Sequence, residues 1–190
     1  LWTFPSHNAT SHGTKLLKKI IPGRSFPYPK SLYAVEDAIR SVTDKNKDAI
    51  ILDYFAGSGT TCHAVCRLNK QDGGRRQSIL ITNNSLSNDE ESDYHKAGIY
   101  QGDPEFESAG IFHHITVPRI KSSITGLTPE GQSIDGDYKF NDKFPISQGL
   151  EENIRFVTLD YLDNDNVIRN KSFKSISTIL WMISGSVGSV

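Results

Sequence analysis

The sequence predicts an α/β, doubly wound domain, and three observations predict it. An apolar run, Ala49 to Leu52, fits a buried strand that ends in Asp53 and passes through a small-residue turn into a helix starting near Thr60. A second apolar run, Gln77 to Thr82, follows the turn Asp72-Gly73-Gly74 and fits a second buried strand. Helical patterns lie before and between these runs, and alternation of strand and helix is the mark of a parallel sheet. At 190 residues the chain can bury a real core in one domain and carry a small appendage.

Residues 1–13 are polar, show no period and read as an extended approach in which His7 and His12 are solvated rather than metal ligands. Thr14 to Ile21 is a short helix candidate with Gly23 as its terminator. Lys15, Lys18, Lys19 and Arg24 make the most basic patch, either a solvated helix face or a phosphate-contacting edge beside nucleic acid. Phe26-Pro27-Tyr28-Pro29 is held extended by its prolines. It is either an apolar wall across the glycine turn or a rigid connector with aromatic core filler. A helix from Ser31 to Val42 follows, with Ser31 as N-cap and Leu32, Val35, Ala38, Ile39 and Val42 on its apolar face.

The turn after the first strand, Ala56-Gly57-Ser58-Gly59, is where a ligand is expected. Open α/β sheets bind ligands beyond the carboxyl ends of their strands, and glycines let the backbone come close to them. A phosphate-cradling loop needs a lysine after the last glycine, and Thr60 stands there. A dinucleotide fingerprint needs a third glycine at the position of Cys62. A methyl-donor loop fits: the glycines make room for a nucleoside and a methionine moiety, and Asp53 attracts the ligand's ammonium group. The plain alternative is a strand-turn-helix whose glycines serve geometry alone.

Thr60 to Asn69 reads as a helix with Cys62, Val65, Cys66 and Leu68 turned inward. Cys62, His63 and Cys66 do not make a structural zinc site, because the second spaced pair of ligands is missing. At the end of the second strand, where ribose hydroxyls are expected, stand Asn83, Asn84 and Ser85. Ser87 to Gly110 is an acidic surface insertion with room for one short helix. Ile111 to Val117 alternates like a strand, Pro118 breaks it, and Arg119 to Ile124 fits a helical turn. Thr125 to Asn141 is loop, Asn153 to Leu162 a strand, Asp163 to Asn166 a polar turn, and Phe173 to Ile183 an amphipathic helix packing on the sheet. The division this implies is 1–125 as the ligand-binding part and 126–190 as a loop with a strand-helix extension.

Asp53-Tyr54-Phe55-Ala56-Gly57-Ser58-Gly59-Thr60-Thr61 resembles the cofactor motif of S-adenosylmethionine-dependent DNA amino-methyltransferases. Phe26-Pro27-Tyr28-Pro29-Lys30-Ser31 upstream, and Leu68-Asn69, Asp72 to Arg76 and Ser78 to Asn84 downstream, are similar to the subgroup whose catalytic motif comes earlier in the chain. The likeness is strongest to type III restriction-system modification subunits and adenine-specific relatives, over about residues 10–84. It implies a Rossmann-like methyltransferase sheet, present in part, and S-adenosylmethionine as cofactor. Carried over residue by residue, it implies cofactor contacts from Asp53, Phe55, Ala56, Gly57, Ser58, Gly59 and Thr60. Phe26, Pro29 and Lys30 would form walls, with Lys30 closing the methionine end, and Asn83 and Asn84 would meet the ribose. A glutamate is expected where Ser85 stands, so ribose affinity is weaker on this reading. A Thr-x-x-Arg-Ile-Lys segment, here Thr116 to Lys121, also recurs in such sequences without an assigned role.

The family's catalytic tetrapeptide, Asp/Asn-Pro-Pro followed by an aromatic residue, is absent, since no two of the eight prolines are adjacent. No catalytic residue and no metal ligand is therefore assigned. The expectation is a C-terminal cofactor half that by itself transfers no methyl group and reaches duplex DNA through its parent protein, with a restriction subunit or a second copy as partner. Two alternatives stand beside adenine N6 methylation: a non-catalytic interaction or relic module, and a cytosine-N4 methyltransferase. The net charge of -1 shows no global basic signature. Two cysteines without a secretory segment point to a reducing, cytoplasmic setting, and no apolar run approaches the ~18 residues of a membrane span.

Overall fold

A computed structural model of the chain describes residues 4–140 and 142–159, together with 177, 180, 181, 183 and 184. The chain falls into two compact units, Leu1–Asn153 and Ile154–Val190. The first contains a β-α-β unit: β1 (Ile50–Asp53), α3 (Thr60–Asp72) and β2 (Gln77–Leu80), preceded by α1 (Lys15–Ile20) and α2 (Leu32–Thr43). The strands pair in parallel, from Ile50 opposite Gln77 to Asp53 opposite Leu80. After β2 come α4 (Asn88–Lys96), α5 (Pro104–Ala109) and α6 (Val117–Thr125).

Helix α2 starts where the sequence places it. Ser31 accepts the Ala34 N–H at 3.5 Å while its own hydroxyl donates to the Ser6 carbonyl at 2.7 Å. Its buried stripe is Leu32, Glu36, Ile39 and Thr43, with Tyr33 beside it. The expected apolar face is therefore rotated: Val42 is 80% exposed and Ala38 is also exposed. The cause is a buried ion pair, since Glu36 turns inward to receive Arg67 of α3. Helix α3 buries every residue from Cys62 to Asn69, the four expected ones among them.

The strands are half-exposed rather than buried. Ile50, Leu52 and Ile79 are 66%, 61% and 52% exposed, while their alternate neighbours are partly covered. One sheet face is covered by the rest of this unit and the other is open to solvent.

Several local expectations are corrected. Residues 5–7 form a 3-10 turn and Thr10–Thr14 a π-helical turn, so the N-terminal stretch is not extended. Nor are its histidines simply solvated: His7 pairs with Asp37 at 2.8 Å, and the His12 ring packs edge-on to Tyr33 and Phe140. The acidic insertion holds two helices; Ser87 and Glu90 form a capping box on the first, and the buried Phe106 of the second stacks on His95. Most consequential, Ile111 to Val117 is no strand. Phe112–Thr116 is a π-helical turn running into α6, and Pro118 sits in the first turn of that helix, where a missing N–H costs nothing. The alternating pattern also places Ile111 with Ile115, and Thr116 with Ile120, four apart on one helical face, and packing selects that option.

The strand expected over 153–162 is absent from 153–159, and 160–162 lie outside the described residues. The polar turn at 163–166 also lies outside them. Of the expected C-terminal helix, Ser177, Leu180, Trp181 and Ile183 are helical and the remainder lies outside the described residues. The Arg155 guanidinium stands 5.0 Å from the Trp181 ring centre.

Candidate cofactor-binding site

β1 ends at Asp53, and the chain turns through Tyr54 to Gly59 into α3. The turn is pinned to the extension of β2 by two backbone bonds: Ala56 N–H donates to Ile81 O at 3.0 Å and Ile81 N–H to Asp53 O at 2.8 Å. Gly57 and Gly59 lie in the left-handed region, with φ of +48° and +77°. Both also have close neighbours on the side a Cβ would occupy. A Cβ on Gly57 would stand 3.1 Å from the Phe26 ring, and one on Gly59 would stand 3.1 Å from Ile120 and 3.3 Å from Thr116. The left-handed conformation favours glycine at both positions, and a Cβ there would also push its side-chain neighbours by a few tenths of an ångström.

Asp53 closes the turn on itself. One carboxylate oxygen accepts the Phe55 N–H at 3.1 Å and the other the Thr61 hydroxyl at 2.6 Å. A carboxylate has about four lone-pair positions, so capacity for a cationic group remains. Gly59 caps α3, whose first-turn N–H groups face the turn as hydrogen-bond donors. Phe55 stands 90% exposed at the mouth of the turn, with the Tyr54 ring edge-on to it.

The structure brings Asp53, Ala56 to Thr60 and Phe26 into one locus. Pro29 is buried, its carbonyl against the backbone of Gly13 in the π-helical turn, while Lys30 is exposed. Asn83 is exposed, but Asn84 is already engaged. Its amide donates to the Glu107 carbonyl and carboxylate, both at 2.8 Å, and its oxygen accepts the His113 N–H at 3.2 Å. Of the basic patch, Lys15, Lys18 and Lys19 are exposed, whereas Arg24 donates to the His114 carbonyl at 2.7 Å.

Two residues at the site had no assigned role in the sequence. Thr116 donates its hydroxyl proton to Gly57 O at 2.5 Å. Arg119, fully buried, donates from one guanidinium nitrogen to Thr60 Oγ1 at 2.7 Å and Ser58 Oγ at 2.8 Å. The signal for them was the Thr-x-x-Arg-Ile-Lys spacing, which only the fold turns into contacts. Burial lowers the Arg119 guanidinium to about 10, so it is still a cation at neutral pH.

Beneath the site lies a polar core. The Arg67 guanidinium is bonded to Glu36 and stands 4.1 Å from the Tyr138 ring centre. His63 shares a 2.8 Å hydrogen bond with the Tyr138 hydroxyl, and burial, with Arg119 and Arg67 nearby, holds its imidazole well below the ordinary value. Cys62 and Cys66 are free, buried and 4.0 Å apart on α3. Among the described residues no group of three or more His, Cys, Asp or Glu gathers as a metal site, and no helix is long and apolar enough to cross a membrane.

The N6/N4 methyltransferase family, described as DNA methylase, matches residues 1–101. The EcoPI Mod subunit of a type III restriction-modification enzyme, from Escherichia phage P1, is 36% identical over 94 residues, half of this chain and 14% of that protein. The type II methyltransferase M.KpnI of Klebsiella pneumoniae is 43% identical over 75 residues, 40% of this chain and 18% of that protein. The StyLTI Mod subunit of Salmonella typhimurium is 40% identical over 145 residues, 76% of this chain and 21% of that protein, so the likeness runs well beyond residues 10–84. The chain spans about a fifth or less of the length of these relatives. A glycine turn built as described, within a family match that contains it, leads to one conclusion: the chain belongs to the N6/N4 DNA methylase family.

Proposed function

We propose that this chain is the S-adenosylmethionine-binding half of a DNA methyltransferase that methylates adenine N6 in duplex DNA within a restriction-modification system. The observation that carries the reading is the turn between β1 and α3. Its two left-handed glycines lie between Phe26 and Ile120 at the carboxyl end of a parallel strand. Left-handed glycines shape a turn whose backbone can meet a nucleoside closely, at the end of a parallel strand where such ligands bind. The sheet extends on this reading into a Rossmann-like, doubly wound form completed by the rest of the parent protein.

The cofactor supplies an activated methyl group; the residues of this chain bind and orient it. Asp53 holds the ammonium of the methionine moiety with the charge left over from its own turn contacts. The first-turn N–H groups of α3 meet an oxygen of the ligand. Phe26 and Pro29 would wall the site, the exposed Phe55 would offer a ring to the ligand, Lys30 would close the methionine end, and Asn83 would take a ribose hydroxyl. Asn84 holds Asn83 in place through its bonds to Glu107 and His113.

The base-binding half is proposed to pack on the open sheet face. Parallel sheets are ordinarily covered on both faces, and Ile50, Leu52 and Ile79 present apolar surface there. Duplex DNA and a restriction subunit are the partners on this reading, because two of the relatives are Mod subunits of type III restriction-modification enzymes.

The test is calorimetric titration of the purified chain with S-adenosylmethionine, beside Asp53→Ala. Saturable binding that the substitution abolishes is expected. If a folded chain binds nothing, even after mixing with the base-binding half of the StyLTI relative, the reading fails. Active mixtures would be assayed for N6-methyladenine and N4-methylcytosine, and the latter product would overturn the adenine assignment.

A further inference from the structure

We propose, resting on the cofactor reading for the ligand, that Thr116 and Arg119 are positioning residues that clamp the Gly57–Thr60 turn in its ligand-binding shape. The two residues reach the turn from its buried side at consecutive peptide units. Thr116 donates to the carbonyl of Gly57 at 2.5 Å. Arg119 donates to the hydroxyls of Ser58 and Thr60 at 2.8 and 2.7 Å, with the Ser58 carbonyl 3.4 Å from the same nitrogen. Between those polar contacts, Ile120 and the Thr116 methyl close on Gly59.

The clamp exists because of an irregular piece of backbone. Phe112–Thr116 is a π-helical turn, and the wider turn continues into α6 without a break. Thr116, Arg119 and Ile120 then share one face at spacings of three and four. Left-handed glycine turns have many alternatives open to them, so a turn with two such glycines needs outside restraint to keep one shape. Here a buried cation and a short hydroxyl bond supply it. Neither side chain is placed to touch a ligand, so the role is positioning rather than contact.

The experiment uses the full chain with Thr116→Val, Thr116→Ser, Arg119→Met and Arg119→Lys, and reads amide hydrogen exchange and S-adenosylmethionine affinity together. The Gly59 amide, bonded to Ala56 O at 2.8 Å, reports the turn, and the Ile81 amide, bonded to Asp53 O at 2.8 Å, reports the sheet. Thr116→Val and Arg119→Met should speed Gly59 exchange by about tenfold or more while Ile81 stays within about twofold. Thr116→Ser, which keeps the hydroxyl, and Arg119→Lys, which keeps a charged nitrogen, should restore most of the protection. Affinity should weaken by about tenfold in the first two variants and recover in the conservative ones. Unchanged Gly59 exchange, or equal acceleration at Gly59 and Ile81, overturns the clamp. Should Arg119→Met fail to fold, the Thr116 pair decides the matter alone. A wild-type chain that binds no cofactor, even with the base-binding half of the StyLTI relative added, while its variants loosen the turn refutes the cofactor reading and leaves the clamp standing.

Discussion

Arg67 of α3 donates its Nε–H to the carboxylate of Glu36 on α2, and both side chains are sealed from solvent. Gln71 donates to the other Glu36 oxygen at 3.3 Å, and Tyr138 covers the guanidinium face. Burial pushes the Glu36 carboxyl up and Arg67 pulls it back, so the pair stands or falls together. Removing one partner of a buried pair leaves the other charge uncompensated. Glu36→Ala should therefore cost about 3–5 kcal/mol, whereas Glu36→Leu with Arg67→Met should cost far less or even stabilise. Urea unfolding of the three proteins checks this, and equal losses in single and double variants would contradict it.

His63 sets a pH dependence. Its imidazole is buried neutral, below the ordinary value of 6.5, so the unfolded chain takes up a proton that the folded chain refuses. Above that value neither state is charged and His63 contributes nothing. As pH falls below it, stability declines, and it continues to decline until the folded pKa is reached. Unfolding free energies between pH 7.5 and 5 should therefore drop, and His63→Gln should flatten the slope. His12 and His114 are shifted in the same direction by burial, so some slope should remain in that variant.

Asp72 acts at lower pH. Its two oxygens accept from the Arg76 guanidinium at 3.0 and 2.9 Å, and Arg76 in turn donates to Thr43 at 2.8 Å, tying the α3–β2 turn to α2. The hydrogen bonds from Arg76 hold the Asp72 carboxyl below its ordinary value of 3.8. A depressed carboxylate contributes stability above the unfolded value and loses it as pH falls through the folded one. Asp72→Asn should be less stable at pH 7 and show a shallower acid limb below pH 4; an unchanged limb would refute the assignment.

Glycine substitutions should separate strain from space. Gly57→Ala and Gly59→Ala each place a Cβ in the left-handed region, at about 1–2 kcal/mol. Gly59→Ala should cost more, because it meets Ile120 and Thr116 on a packed helix, while Gly57→Ala meets the end of one ring. Thermal unfolding measures the difference, and titration should show cofactor binding lost in both.

Much of this was legible in the chain. The glycine turn, the helix after it and the Ser31 cap are local features, each settled by residues within about a turn of one another, and they fold as read. The strand expected at Ile111 to Val117 was not legible, because a seven-residue apolar alternation satisfies a helical face almost as well as a strand face. The buried Glu36 was hidden for another reason: its carboxylate is placed inside only because its cation arrives from 31 residues away in the chain.

The sequence by itself determined the chemistry on offer: an acidic strand end, two glycines at fixed spacing and a helix start, all dictated by backbone conformation and side-chain type. Only the tertiary structure decided what holds that offer in place. Arg119 finds Ser58 and Thr60 across about sixty residues, Phe26 finds Gly57, and one face of the sheet is left open. The Thr-x-x-Arg-Ile-Lys spacing marks Arg119, but which atoms these side chains meet depends on the packing of whole elements.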